Sequence, residues 1–253
     1  VDLSERASAG ERFWRHPWEE ARCRFFCQVL QRSSVLESSG RVLDVGAGDG
    51  WFARQLVRLL PATAVITCCD AEYTPELIAS SAAADARIEF CRELPVARFN
   101  LILALDVLEH VGDDTDLLRR LVTDHLAPGG RVLISVPAWQ QLFTAHDTGL
   151  RHHRRYSPLA GRALVERCGL VMVHGGGLFH SLLLPRAAQK AIELVRRQRA
   201  SATQPPSLVW RGGALSRKAV AAFLWVDNEV STLAAGRSIE LPGLSWWALC
   251  RMS

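Results

Sequence analysis

The chain reads as a doubly wound α/β protein, and three observations lead there. A strand, a glycine-rich turn and a helix follow one another without interruption from Arg41 to Leu60. Short apolar strands then alternate with amphipathic helices as far as Cys168. Two of the early strands end in an acid, Asp70 and Asp106, where an open sheet of this kind offers its ligand crevice.

The first of these carries the most chemistry. Val42, Leu43 and Val45 form a buried strand, and Gly46, Gly48 and Gly50 follow it. A helix then opens with Trp51 and Phe52 and is stopped by Pro61. Glycines let backbone pass close to a ligand, and a helix start offers free N–H groups to an anion. A dinucleotide fingerprint, G-x-G-x-x-G, would place a small residue where Trp51 stands, because here the third glycine comes one position early. Asp44 lies within the strand end, where a carboxylate repels a pyrophosphate but suits a cationic amine. A nicotinamide cofactor is disfavoured on both counts. S-adenosylmethionine, with its ammonium and sulfonium, fits.

Val42-Leu43-Asp44-Val45-Gly46-Ala47-Gly48-Asp49-Gly50 resembles the first motif of class I S-adenosylmethionine-dependent methyltransferases, and agreement in order and spacing runs to about Leu170. Asp106-Val107-Leu108-Glu109-His110 and Leu126-Ala127-Pro128-Gly129-Gly130 are similar to later signatures of that family. The resemblance implies a Rossmann-like seven-stranded sheet with an antiparallel last strand. It also implies cofactor binding by Asp44, Gly46, Gly48, Gly50, Asp70 and Asp106. Asp70, some twenty residues past Gly50, would take the ribose hydroxyls, and Asp106 would lie beside the methionine part.

Along the chain, residues 1–10 are a loose polar arm, and a helix over Glu11–Gln31 is expected to be interrupted at Pro17. Residues 1–39 form an N-terminal helical arm and 40–253 the methyltransferase-like domain. Further strands are expected at Ala64–Cys69, Arg87–Phe90, Phe99–Asp106, Arg131–Pro137, Leu170–His174 and Leu241–Cys250. Helices are expected from Thr74, over Asp113–Leu126 and over Ser157–Cys168. Gly175-Gly176-Gly177 reads as a mobile turn. A helical insertion over about 178–240 contains two helices, Leu178–Arg199 and Leu215–Leu233, joined by a linker at 200–207.

The polar stretch Ala145–Tyr156 is the acceptor-site candidate. It holds His146, Asp147, His152, His153, Arg151, Arg154, Arg155 and Tyr156. Methyl transfer from a sulfonium relies on proximity and in-line geometry, while an oxygen acceptor gains from a base, a role suited to histidine. His146, Asp147 and His152 are the catalytic candidates, with Asp147 orienting one ring, and His110 is a further one. Arg154, Arg155 and Tyr156 are substrate-binding candidates, or ties between loop and sheet. The stretch resembles the His-Asp…Leu-Gly-His-x-Arg-Arg-Tyr segment of a bacterial methyltransferase subgroup, with Arg151 in place of glycine. Some of its members are thought to act near membrane lipids or polyprenyl-linked glycans.

Composition sets the remaining expectations. At 49% hydrophobic residues the chain can build a large core. Seven scattered cysteines show no metal-ligand pairing, so no metal is expected, and an odd count predicts reduced thiols in the cytoplasm. No secretory signal or membrane-spanning run is read. The net charge of +4 is concentrated between Arg186 and Lys218, where eight basic residues face one acid, Glu193. That segment is a candidate for peripheral contact with the inner face of a membrane or a solvated lid; nucleic acid is not expected. The function read is methyl transfer, to oxygen of a small or lipid-linked (polyprenyl-type) acceptor. The alternatives are N-methylation of a small molecule and a non-catalytic cofactor-binding scaffold.

Overall fold

A computed structural model describes residues 15–82, 85–197, 212–235 and 239–253. The expected arm over 1–10, the first turn of the expected N-terminal helix at 11–14 and the linker at 200–207 lie outside these. The strands are β1 Arg41–Val45, β2 Val65–Cys69, β3 Ile88–Cys91, β4 Phe99–Leu105, β5 Leu126–Pro137, β6 Leu170–Leu178 and β7 Ser245–Met252. They form one sheet in the order β3-β2-β1-β4-β5-β7-β6. β1 to β5 pair in parallel, and β7 lies antiparallel between β5 and β6. The winding reverses between β1 and β4, which puts the ligand crevice at their carboxyl ends.

Helices on both faces explain why the strands are apolar throughout rather than alternating. On one face, α1 (Pro17–Arg32) buries Phe25, Phe26 and Leu30, with Phe25 edge-on to Trp247 at 5.3 Å. The main helix begins at Pro17, where the interruption was expected: proline at the first helical position gives up no hydrogen bond there, and the His16 ring accepts from Trp18 N at 3.3 Å. α2 (Trp51–Leu56) packs on the same face. On the other face lie α4 (Asp114–Arg120) and α6 (Pro158–Arg167, capped by Ser157), which help bury Trp246. Neighbours in β7, Trp246 and Trp247 thus serve opposite cores, as the two-residue period of a strand requires. α3 (Pro75–Ala82) links β2 to β3.

Two expectations are corrected, and one element is added. The glycines 175–177 belong to β6 and pair with Ala248, Trp247 and Trp246, so they are no mobile turn. A Cβ at Gly177 would lie 2.2 Å from the backbone nitrogen of Gly243, a crossing only glycines permit. The helix expected over Asp113–Leu126 ends at Arg120 in a π turn, and Leu126 already belongs to β5. Finally, the stretch after β5 contains a short helix, α5 (Ala145–Gly149), closed by a capping box between Thr144 and Asp147.

The insertion consists of α7 (Leu183–Arg197) and α8 (Ala214–Ala235). α8 lies along α1. Trp225 Nε1 donates to Gln28 at 3.0 Å, the Arg24 guanidinium stacks 3.5 Å from the Trp225 ring, and Arg32 pairs with Glu229 at 3.0 Å. No described helix is long and apolar enough to cross a membrane.

Candidate active site

At the carboxyl end of β1, Gly46, Gly48 and Gly50 all adopt positive φ, 63°, 55° and 67°. A side chain at Gly46 would also meet Val107 at 2.7 Å, and one at Gly50 would meet the Phe90 ring at 2.8 Å. The turn therefore holds only with glycine at those positions. Asp70 Oδ2 accepts from Gly48 N at 2.9 Å, tying the end of β2 to the turn. Asp49 accepts from Trp51 N at 3.1 Å and pairs with Arg15, which also stacks on the Trp51 ring at 4.4 Å.

Asp44 is buried, and its Oδ2 has no hydrogen-bond partner among the described residues. Burial pushes its carboxyl up to about 7, against the opposing pull of Arg22. A buried acceptor without a donor is uncommon in folded proteins. An orphaned carboxylate beside a left-handed glycine cradle suits a cationic, backbone-hugging ligand, as the ammonium end of S-adenosylmethionine is.

Arg22, on α1, was not picked out by the sequence reading. It pairs with Asp106 Oδ2 and stacks on Trp18 at 4.6 Å. Its charge is also felt by Glu19, Glu109 and Asp44. The available signal was the spacing of Trp18 and Arg22, one helical turn apart. Asp106 itself terminates β4 in the left-handed region (φ 57°) and accepts from Ser135 Oγ at 2.8 Å. Aspartate tolerates that conformation better than most residues.

In the stretch after β5, Asp147 is fully buried and at the centre. Its Oδ1 meets His152 Nδ1 at 3.2 Å, Arg155 Nε at 2.8 Å and the Arg155 terminal nitrogen at 2.7 Å. Its Oδ2 accepts from Thr144 N at 2.8 Å and from Arg186 at 2.6 Å. Burial alone would raise this carboxyl, but the His152 and Arg155 hydrogen bonds and the Arg155 charge hold it far below the usual carboxylate range. Among the described residues His152 thus hydrogen-bonds Asp147, whereas the His146 ring does not. Burial and the Arg186 charge lower the His146 ring to about 4, so it is neutral near pH 7.

The substrate-binding candidates are engaged within the chain. Arg154 pairs with Asp114 at 2.9 Å and donates to Gly112 O at 2.7 Å. Arg155 holds Asp147 and donates to Ala138 O at 3.1 Å. Tyr156 donates to Asp114 at 2.7 Å, and burial together with Asp114 raises its phenol well above the usual range. Two more residues that the sequence reading left out of the site complete it. Arg186 comes from the insertion, with no local signal. Glu109 is fully buried in the turn after β4, next to His110, whose ring stands edge-on to His152 at 4.6 Å.

Of the basic residues in the segment Arg186 to Lys218 whose side chains are described, three are engaged within the chain and Lys218 is exposed. Arg186 points inward to Asp147, Lys190 donates to Phe143 O, and Arg217 pairs with Glu20. Arg199 and Arg211 lie outside the described residues.

A sequence profile of the methyltransferase domain family matches residues 18–174. Over 115 residues the chain is 32% identical to a ubiquinone biosynthesis O-methyltransferase of Xanthomonas axonopodis pv. citri, covering 41% of this chain and 46% of that one. Over 119 residues it is 34% identical to a trans-aconitate 2-methyltransferase of Mycobacterium tuberculosis, covering 46% and 44%. The chain spans about half the length of these curated relatives. Among solved structures, an S-adenosylmethionine-dependent methyltransferase of Geobacter sulfurreducens in complex with S-adenosyl-L-homocysteine superposes with a TM-score of 0.51 at 18% identity, covering 99% and 97%. At that identity the likeness speaks for the fold.

Proposed function

The chain belongs to the methyltransferase domain family, and from that premise we propose that it methylates an oxygen of a small acceptor held over the carboxyl ends of β4 and β5. Its cofactor is S-adenosylmethionine, which supplies an electrophilic methyl group on a cationic sulfur. Asp44 receives the ammonium and Asp70 the ribose hydroxyls, while the glycine turn lets the backbone approach. Arg22 is placed to exchange its hold on Asp106 for the ligand's carboxylate.

The observation that carries the oxygen reading is the His152–Asp147 pair, close to His110 and Glu109. Asp147 fixes the His152 ring through Nδ1 and leaves Nε2 for the acceptor side. The acceptor hydroxyl loses its proton at this cluster and forms the new bond to the methyl carbon. The old carbon–sulfur bonding pair stays on sulfur, which becomes a neutral thioether. Arg155, Arg186 and Tyr156 act by holding the loop.

A panel of small phenols, hydroxy acids and carboxylic acids, assayed for S-adenosylhomocysteine release, tests this reading. An oxygen acceptor should turn over, and His152→Ala should lower kcat by about 10²- to 10⁴-fold. Turnover of amines alone would overturn it in favour of N-methylation, and binding without turnover of any acceptor would favour a scaffold.

A second observation favours a lipid-linked form of the acceptor. Leu184, Ile192 and Val195 on α7, and Leu215 and Phe223 on α8, are more than half exposed. Exposed apolar side chains on two helices suit the interfacial layer of a bilayer. Co-sedimentation with phosphatidylglycerol vesicles is expected. Its absence at low salt would restrict the acceptor to soluble molecules.

A further inference from the structure

The acceptor-side cluster holds two imidazoles and a carboxylate whose ligand atoms all lie within 4.8 Å of one another: Glu109, His110 and His152. Among the described residues, neither oxygen of the fully buried Glu109 carboxylate has a hydrogen-bond partner. Buried polar groups are nearly always satisfied, so a carboxylate orphaned at both oxygens calls for a partner of another kind. A water would offer it hydrogen bonds; the adjacent pair of imidazoles adds what water does not need, two more ligand nitrogens within 4.8 Å. The His152 contact has the form seen behind many metal-binding histidines. Asp147 takes Nδ1–H at 3.2 Å, fixing the tautomer that leaves the Nε2 lone pair outward.

We propose that Glu109, His110 and His152 form a binding site for a divalent transition-metal ion, with Asp147 as the carboxylate that orients His152. Two nitrogens and one oxygen match borderline ions such as Zn2+, Co2+ or Fe2+ better than Mg2+ or Ca2+, which prefer oxygen alone. Metal–ligand bonds of about 2.0–2.2 Å put tetrahedral neighbours roughly 3.3–3.6 Å apart. Small rotations of the two histidine side chains close the remaining gap. Three protein ligands leave open positions for acceptor oxygens, so an acceptor with two adjacent oxygens, a hydroxy acid or a catechol, is the class that fits. The cluster then acidifies the acceptor hydroxyl, whose proton leaves to water. This deepens the oxygen-methylation reading and rests on it for the acceptor. The site departs from the expectation of no metal, which rested on the cysteines alone; no cysteine takes part here.

The test uses the full chain, stripped with a chelator and titrated calorimetrically with Zn2+. One equivalent should bind. Glu109→Gln, nearly isosteric, and His152→Ala should each weaken binding at least tenfold, and Asp147→Asn by about 10- to 100-fold. His153→Ala, an exposed neighbour outside the cluster, should leave it unchanged. On the wild-type protein, Co2+ should give paramagnetically shifted N–H resonances from two imidazoles, a readout independent of whether the variants fold. No Zn2+ uptake, uptake that survives in both Glu109→Gln and His152→Ala, or no shifted imidazole resonances overturns the site. Titration with S-adenosylhomocysteine in parallel keeps the two claims apart. Cofactor binding without metal sinks the metal site alone, and metal binding without cofactor sinks the methyltransferase reading alone.

Discussion

The cofactor corner and the acceptor loop are built by different means. The corner is a backbone construction: three left-handed glycines, a strand end and a helix start, all within Arg41–Leu56, with Asp70 added from the next strand. The acceptor loop is a side-chain construction, in which Asp147 gathers His152 and Arg155 from its own segment and Arg186 from the insertion. Ligand binding at the corner should therefore be sensitive to single backbone-compatible changes. The loop should instead fail through loss of stability when its buried charges are unpaired.

The largest effect is expected in the loop. Asp147→Ala strands two buried guanidinium groups, a loss of about 3–5 kcal/mol. For a chain of this size that corresponds to a fall in Tm of roughly 6–20 °C, measurable by thermal melting. A change below 2 °C would show that the pairs are not what holds the loop. Next comes Gly177→Ala, where β6 meets Gly243: an overpacking cost of about 1–3 kcal/mol, read by urea denaturation, should leave cofactor affinity intact in the protein that remains folded.

At the corner, Asp44→Asn should weaken S-adenosylhomocysteine binding by about 2–3 kcal/mol, roughly 30- to 150-fold, with little change in Tm. The smallest effect is the pH dependence. Burial raises the Asp44 carboxyl to about 7, and only its ionised form attracts an ammonium. Affinity should be constant above that pH and fall by up to about tenfold per unit below it, because protons compete with the ligand. The Asn variant should lose this slope. A slope of the opposite sign, or one kept in the variant, would place the titrating group elsewhere.

The same contrast explains what the sequence disclosed. The corner was legible because its determinants are contiguous and each residue type has one job: Gly46 for positive φ, Asp44 for charge, Val42 and Leu43 for burial. The positions of Asp70 and Asp106 just past the ends of β2 and β4 were legible from spacing along the chain. The Asp147–His152 partnership was readable as proximity in the chain, but not the choice of His152 over His146. Arg22, Glu109 and Arg186 were missed because their roles exist only in three dimensions. Arg186 even counted toward a surface charge, although it is buried against Asp147. The glycines of β6 misled for a related reason: Gly177 makes a close approach to Gly243, 66 residues later in the chain.

The most direct test of the central claim, a cofactor corner whose buried Asp44 awaits a cation, is calorimetric titration of the wild-type chain and Asp44→Asn with S-adenosylhomocysteine at pH 8. The account predicts one-to-one binding by the wild type, weakened roughly 30-fold or more in the variant. Equal binding by both, or none by the wild type, would contradict it.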